Sequence, residues 1–252
     1  MGAHPDDAEF HAGGLMVSQA ARGSQIAILS LTDGSAGHQH THRPALAARR
    51  AAEARASAAL IGAELRIWEV PDGELVPTLA LRQQLIAGIR TFAPDLLITH
   101  RLCDYHPDHR ATAQLVQDAC YLLRVPNVVP EVTALAADPV VLYAADFFTR
   151  PVPFHADVVL PTDAVLESVL DMLACHESQV FEWLPFMDGE TETLAASDRR
   201  EWLRRYYGRR PAAIARRWAP RYGYAEAFEI SEYGRRLPAD EIRRRLGAVE
   251  LA

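Results

Sequence analysis

The sequence predicts an α/β fold in which a mostly parallel β-sheet is covered by helices on both faces. Short apolar runs alternate with segments of helical spacing along the first half of the chain, which is the rhythm of successive β-α units. The 252 residues, of which 49% are apolar, suffice for one sizeable core. The sequence contains neither an internal repeat nor a linker rich in Gly, Ser or Pro, so we expect one domain over residues 1–252.

The first predicted helix covers 11–22, and a β-rich apolar run over 25–31 follows it as the first strand. An Ala/Arg-rich segment over 44–61 predicts the second helix, which Gly62 ends just beyond its last turn. The second strand is predicted over 65–70, because a Pro-Asp-Gly turn follows that apolar run.

Helical spacing returns over 79–92, and Pro94 ends this third helix. The compact apolar run DLLITH over 95–100 predicts the third strand, and the spacing of the next segment predicts a helix over 110–123.

The second half of the chain continues with strands predicted over 140–144 and 157–160 and a helix over 162–176. From about residue 191 the chain becomes rich in Arg, Trp and Tyr, and an Arg-rich helix is predicted over 239–246. We expect this last part to form a peripheral layer.

The composition excludes several classes of function. The formal net charge of −7 gives no basic field that would attract nucleic acid or an anionic membrane. All 26 basic residues are arginine, so no lysine is available for Schiff-base or general-base chemistry. The three cysteines include no CxxC pair, which indicates reduced thiols and a cytoplasmic protein. Neither a signal peptide nor a membrane-spanning run is predicted.

Two short segments carry potential metal ligands, His4-Pro5-Asp6-Asp7 and His106-Pro107-Asp108-His109. Each is interpreted as a strand-to-helix junction, and ligands bind at the carboxyl ends of strands in open parallel sheets. One carboxylate and two imidazoles would form a three-ligand zinc site with a position left for water. Either segment alone is equally consistent with a capped turn, but the pair favours a metal site.

Asp6 and Asp7 are adjacent and point in different directions from a turn, so both cannot bind one metal well. One would be a ligand, and the other a base for the water that the metal activates. A further histidine would stabilise the oxyanion or protonate the leaving amine.

The chain resembles the LmbE/PIG-L family of zinc-dependent de-N-acetylases in four segments, which follow in the family's order: Ala3-His4-Pro5-Asp6-Asp7, Gly13-Gly14, Leu31-Thr32-Asp33-Gly34 and His106-Pro107-Asp108-His109. The resemblance implies a Rossmann-like, three-layer α/β sandwich. It also implies deacetylation of N-acetylglucosamine conjugates, such as the precursors of mycothiol, bacillithiol and glycosylphosphatidylinositol.

By this resemblance, His4, Asp7 and His109 are the metal ligands and Asp6 is the general base. The implied metal is zinc or iron(II), because imidazole and carboxylate ligands suit both.

The resemblance also implies that His106 stabilises the tetrahedral intermediate and that Asp108 orients its imidazole. Tyr105, directly before the second motif, is expected either to reach the substrate or to be a packed tyrosine.

Weaker matches leave alternatives open. Arg50 would contact substrate hydroxyls or phosphate, or form an intrahelical ion pair with Glu53. Asp72 would bind a sugar hydroxyl, or belong only to its turn. The alternating histidines of 38–42 would form a lid or a second metal site, and 176–179 echoes a family segment that we expect at a helix end near the site.

The chain departs from the family pattern at its beginning, because only Met1 and Gly2 precede Ala3 where relatives have an apolar central strand. Either the sequence starts late relative to this strand, or the strand is absent from the sheet. In the second case we expect unpaired ladder groups and weakened stability and metal affinity.

The sequence therefore predicts a zinc-dependent hydrolase that removes an N-acetyl group from an N-acetylglucosamine-type conjugate. The alternatives are an amidase acting on a thiol conjugate or another non-sugar amide, and a non-catalytic metal- or sugar-binding relative. The expected partner is a small-molecule amide or amino sugar, not nucleic acid or a membrane. The C-terminal arginines are expected to face solvent or a second copy in a homo-oligomer.

Overall fold

The computed structural model describes residues 1–248. The strands are β1 (Ala27–Ser30), β2 (Glu64–Ile67), β3 (Leu96–Thr99), β4 (Val140–Ala144), β5 (Val158–Pro161) and β6 (Ala225–Ile230). The α-helices are α1 (Asp7–Ala21), α2 (Arg43–Ala59), α3 (Leu79–Phe92), α4 (Pro107–Cys120), α5 (Leu166–Cys175), α6 (Leu184–Met187), α7 (Thr191–Ala195), α8 (Arg199–Trp218) and α9 (Ala239–Leu246). Within these residues, no helix combines the length and the apolar character needed to span a membrane.

The α/β content and the parallel pairing in the first half of the chain agree with the sequence prediction. β1 pairs with β2 and β3 pairs with β4, both in parallel. The predicted third helix coincides with α3, because Thr78 caps its first turn by accepting the amide of Leu81 and Ala93 leaves the helix in the left-handed conformation.

The second half of the sheet does not follow the mostly parallel prediction. The strand order is β3-β4-β6-β5, and β6 runs antiparallel to both β4 and β5. The expectation of a peripheral layer after residue 191 was therefore wrong, since β6 lies inside the sheet with 225–228 buried. In the same part of the chain, α8 buries Trp202 and Leu203 in the core.

Glu226 in β6 joins the sheet to α1. Its carboxylate accepts the amides of Gly14 at 2.6 Å and Leu15 at 2.9 Å, close to the interruption of α1 at Ala12, where φ is −145°. Only 3% of Glu226 is exposed. Burial raises the pKa of its carboxyl to about 7, although the two amides and the nearby guanidinium of Arg210 oppose the rise.

This raised pKa predicts that the protein loses stability as the pH increases from 4.5, the ordinary value of a glutamate, to about 7. Over this interval the unfolded chain ionises while folded Glu226 keeps its proton, so unfolding becomes favoured by up to about 3 kcal/mol. Denaturant unfolding of Glu226→Gln against pH should show a flatter profile than the wild-type protein. Parallel profiles would contradict the assignment.

The sheet is interrupted between β1 and β3. Gly2 forms a single parallel bridge with Ser30 and donates its amide to the carbonyl of Leu29 at 2.9 Å. On the other side, the amino group of Met1 donates to the carbonyl of Ile98 at 2.8 Å. Beyond Met1, a cavity of about 530 Å³ separates the two strands. No strand of residues 1–248 fills this cavity, which lies where the missing strand was expected.

Candidate metal centre

The candidate centre lies at the carboxyl ends of the parallel strands β1, β2 and β3, the edge at which ligands bind in open α/β sheets. The first motif follows Gly2 beside β1 and leads into α1. The second motif starts α4 after the loop that leaves β3, and the turn after β2 brings in Asp72. The topology therefore brings together segments about a hundred residues apart in sequence.

Donor atoms of the three predicted metal ligands lie close to one another in pairs, and the two imidazoles face different oxygens of Asp7. Nδ1 of His4 lies 3.5 Å from Oδ2 of Asp7 and 3.3 Å from Nε2 of His109. Nε2 of His109 lies 3.4 Å from Oδ1 of Asp7. A tetrahedral zinc ion with bonds of about 2.0–2.1 Å separates its ligand atoms by about 3.4 Å, so each of these three pairs has the spacing of zinc ligands.

The same region contains further potential ligands. Within residues 1–248, groups of donor atoms that lie within 4.8 Å of one another are His4 with His106 and His109, Asp7 with His100 and His109, and His4 with Asp72 and Asp108. They overlap in His4 and His109, and imidazole and carboxylate donors of this kind suit a divalent metal.

The electrostatics of the centre favour a bound cation. Burial lowers the pKa of His4, but contacts with Asp108, Asp7 and Asp72 outweigh it and hold that pKa well above its ordinary value. Burial also lowers the pKa of His109, but Asp7 and Asp104 outweigh this effect and raise that pKa to about 9. The carboxylates thus stabilise positive charge at the position that the donor atoms surround.

Asp6, the predicted base, is paired with Arg50. The guanidinium donates to Oδ1 of Asp6 at 2.7 Å and to the carbonyl of Gly34 at 2.9 Å, and only 2% of Arg50 is exposed. The predicted pair of Arg50 with Glu53 does not form, because Glu53 binds Arg49 at 3.0 Å instead. Arg50 therefore fixes the position of the Asp6 side chain.

His106 caps α4, so the second motif is a capped turn, which is compatible with the metal-site interpretation. Its Nδ1 accepts the amide of Asp108 at 3.2 Å, which places the proton of a neutral ring on Nε2. Burial and the charges of His4 and His109 lower the pKa of His106. His106 is therefore available as a neutral N–H donor.

The carboxylate of Asp108 does not contact the His106 ring that it was expected to orient. It accepts the amides of Gly73 at 2.7 Å and Leu75 at 3.2 Å, and it lies 3.4 Å from Nε2 of His4. The first turn of α4 directs this carboxylate toward the loop after β2, where it also lies beside His4 of the first motif.

Asp72 and Tyr105, both predicted to bind substrate, differ in their surroundings. Asp72 is buried, and its oxygens lie 3.2 Å from Nε2 of His4 and 3.7 Å from Arg50. Tyr105 is 71% exposed, which excludes a packed tyrosine. Its ring centroid lies 5.5 Å from that of His109, so Tyr105 stands at the mouth of the centre.

Sequence reasoning missed His100 and Asp104. His100 stacks on His109 with centroids 4.0 Å apart, and its Nε2 lies 3.1 Å from Oδ2 of Asp7. Asp104 lies 3.0 Å from Nδ1 of His109. The position of His100 at the end of the DLLITH run was a usable signal, since strand carboxyl ends form this edge.

The two remaining histidine-containing segments, 38–42 and 176–179, form contacts between the loops around the centre. His38 contacts Glu182 at 2.8 Å, and the groups of potential ligands in residues 1–248 include none of His38, His40 and His42. His176 is fully buried and lies 3.0 Å from Glu9. Gln179 donates to the carbonyl of Gly37 at 2.9 Å, so 176–179 links α1 to the loop that borders the centre.

Fold and centre together define an α/β protein with a histidine- and aspartate-based metal-binding group at the carboxyl edge of a parallel sheet segment. Residues 1–120 match the PIG-L family, described as GlcNAc-PI de-N-acetylase. The similarity to the PIG-L (LmbE-like) family thus covers slightly less than half of the chain. Diacetylchitobiose deacetylase of Thermococcus kodakarensis is 29% identical over 196 residues, which are 73% of this chain and 72% of the relative.

Solved structures share the fold at lower identity. N,N'-diacetylchitobiose deacetylase from Pyrococcus horikoshii superposes with a TM-score of 0.70 at 22% identity, covering 92% of this chain and 82% of that one. The 4-carboxy-2-hydroxymuconate hydratase from Pseudomonas putida KT2440 gives a TM-score of 0.73 at 20% identity, covering 94% and 95%. Because deacetylases and a hydratase share this fold, the reaction has to be argued from the site.

Proposed function

We propose that this protein is a metal-dependent hydrolase that removes an N-acetyl group from an N-acetylglucosamine-type conjugate. The observation that carries the proposal is the pairwise closeness of His4, Asp7 and His109, whose donor atoms lie 3.3–3.5 Å apart with the two imidazoles at different oxygens of Asp7. Asp6, adjacent to Asp7 in sequence, is held by Arg50 at 2.7 Å. The deacetylase relatives support the same reaction.

His4, Asp7 and His109 are the residues that would hold the metal, as zinc or iron(II). A divalent metal at this position would polarise the acyl oxygen and lower the pKa of a water molecule.

Asp6 carries out the proton transfers of the reaction, and His106 donates a hydrogen bond to the intermediate. Asp6 accepts a proton from the attacking water as the new C–O bond forms at the amide carbon. The N–H of His106 donates to the oxygen that becomes negative in the tetrahedral intermediate. Asp6 then gives the proton to the amide nitrogen as the C–N bond breaks, and the products are acetate and a free amine. The hydrogen bond from Arg50 fixes the position of the Asp6 carboxyl group for both transfers.

The substrate contacts that we propose differ from the expected ones at two of three positions. Arg50 and Asp72 are both buried and engaged, Arg50 with Asp6 and Asp72 with His4, so we assign them to supporting the centre. Tyr105 is exposed at the mouth and remains the residue proposed to contact the sugar.

The proposal is tested by acetate release from N-acetylglucosamine, diacetylchitobiose and an N-acetylated thiol conjugate. We expect the sugars to be cleaved, and we expect removal of the metal with a chelator to abolish turnover until zinc or iron(II) is added back. His109→Ala serves as the matched control, because it should lose the metal and the activity together. Cleavage of the thiol conjugate alone would identify the amidase alternative, and metal binding without any acetate release would indicate a non-catalytic relative.

A further inference from the structure

Each imidazole of the two proposed histidine ligands has one nitrogen toward Asp7 and the other against a second carboxylate, and the two rings use opposite nitrogens. His109 turns Nε2 toward Asp7, and its Nδ1 lies 3.0 Å from Oδ1 of Asp104. His4 turns Nδ1 toward Asp7, and its Nε2 lies 3.2 Å from Asp72 and 3.4 Å from Asp108.

These outward nitrogens are buried. Within residues 1–248, neither Nδ1 of His109 nor Nε2 of His4 has an aligned hydrogen-bond partner. A buried N–H that lacks an acceptor costs about 1–3 kcal/mol, so each ring needs its carboxylate contact. Asp104 is itself held in place, because its Oδ1 accepts the amide of His106 at 2.8 Å.

Packing fixes the plane of the His109 ring, and Asp104 lies beside the ring nitrogen that faces away from Asp7. The ring stacks on His100 at an interplanar angle of 6°, and Tyr105 meets it edge-on at 73°. A ring confined in this way cannot reorient to choose a partner, so the acceptor beside Nδ1 decides which nitrogen carries the proton.

We propose that Asp104 is a positioning residue of the metal centre. Its carboxylate lies 3.0 Å from Nδ1 of His109, so its negative charge favours the tautomer that carries the proton on Nδ1 and leaves the Nε2 lone pair for the metal. Asp72 and Asp108 act in the same way on His4: they lie beside its Nε2 and favour the tautomer that carries the proton there and leaves the lone pair on Nδ1. The inference rests on the proposed metal site, and it adds a residue that neither motif contains.

The test compares zinc affinity, measured by competition with a chromophoric chelator, between the wild-type protein and two variants. Asp104→Ala should weaken zinc binding by about ten- to a hundredfold and change the visible absorption spectrum of bound Co²⁺. Asp104→Asn keeps a neutral acceptor beside Nδ1 and should lose less. The control is Asp118→Asn, because Asp118 lies farther along α4 and contacts only Arg82, at 3.7 Å, among the ion pairs of residues 1–248.

Because Asp104 also holds the amide of His106, the unfolding midpoints of the metal-free proteins are measured in parallel. A purely structural residue would lower the midpoint and leave the zinc affinity and Co²⁺ spectrum unchanged, which would overturn the assignment. Equal affinities of both variants and wild type would overturn it as well. If the wild-type protein itself binds neither zinc nor Co²⁺, the proposed centre fails, and the assignment fails with it.

Discussion

Replacing Asp6 with asparagine is expected to lower the turnover of an N-acetylated sugar by about a hundred- to ten-thousandfold, while the bound metal remains. Asparagine cannot accept the proton of the attacking water, yet it keeps the size of the side chain and an oxygen for Arg50, which lies 2.7 Å from Asp6. Turnover is measured by acetate release, and metal content by elemental analysis of the same preparation.

Asp6→Ala should show the same loss of turnover, with an additional loss of stability. It leaves the guanidinium of Arg50 buried and without its nearest carboxylate, which costs several kcal/mol for a fully buried pair. The contrasting variant is His109→Ala, which should lose the metal as well. Near wild-type turnover in Asp6→Asn with saturating metal would show that another group accepts the proton.

The closeness of the proposed metal ligands could be predicted because each motif is short and follows the end of a strand. His4 and Asp7 are three residues apart, and His106 and His109 share the first turn of α4, so local structure alone brings each pair together. Only the convergence of the two motifs depended on the order of the strands, and parallel β-α units restrict that order strongly.

The partners of these ligands could not be predicted, because they depend on side-chain direction. Asp108 was assigned to the nearby ring of His106, but its carboxylate reaches His4 and the turn after β2. Likewise Arg50, at helical spacing from Glu53, turns to Asp6 instead. Sequence spacing gives the neighbours along one helix, whereas these contacts join different segments of the chain.

The strand β6 escaped prediction for a different reason. Its sequence AEAFEI places glutamates in a strand whose first four residues are buried. Alternation of small and charged residues resembles an exposed segment, whereas the buried Glu226 carboxyl accepts the amides of Gly14 and Leu15. Those donors lie about two hundred residues away in sequence, so no local pattern reveals them.

The largest effect on stability is expected from filling the gap between β1 and β3. Backbone groups in a parallel ladder alternate in direction, and Leu29 and Ile98 already turn toward the gap, where they accept Gly2 and Met1. By the same alternation Ala27 and Leu96 face it too. A strand of about four residues joined to Met1 would reach the free groups of all four residues and add about six hydrogen bonds.

A Val/Ile-rich segment of this length placed before Met1 is therefore expected to raise the free energy of unfolding by on the order of 5 kcal/mol. Each new hydrogen bond contributes about 1 kcal/mol and each buried apolar side chain about 2 kcal/mol, offset by about 1.5 kcal/mol for every residue ordered. The melting temperature should rise by about 10 °C or more. Hydrogen exchange should show new protection at the amides of Ala27, Leu29, Leu96 and Ile98.

The control is a Gly/Ser/Asp segment of equal length, which can extend the chain but cannot bury apolar side chains in the cavity of about 530 Å³. It should leave the midpoint and the exchange rates close to those of the original chain. Zinc affinity is measured on both proteins, because Met1 and Gly2 lead directly into His4. A fixed first motif should bind metal more tightly, so a stabilised protein with unchanged zinc affinity would show that the gap affects the fold alone. Equal stability of the two extended proteins would mean that the gap does not accept a strand.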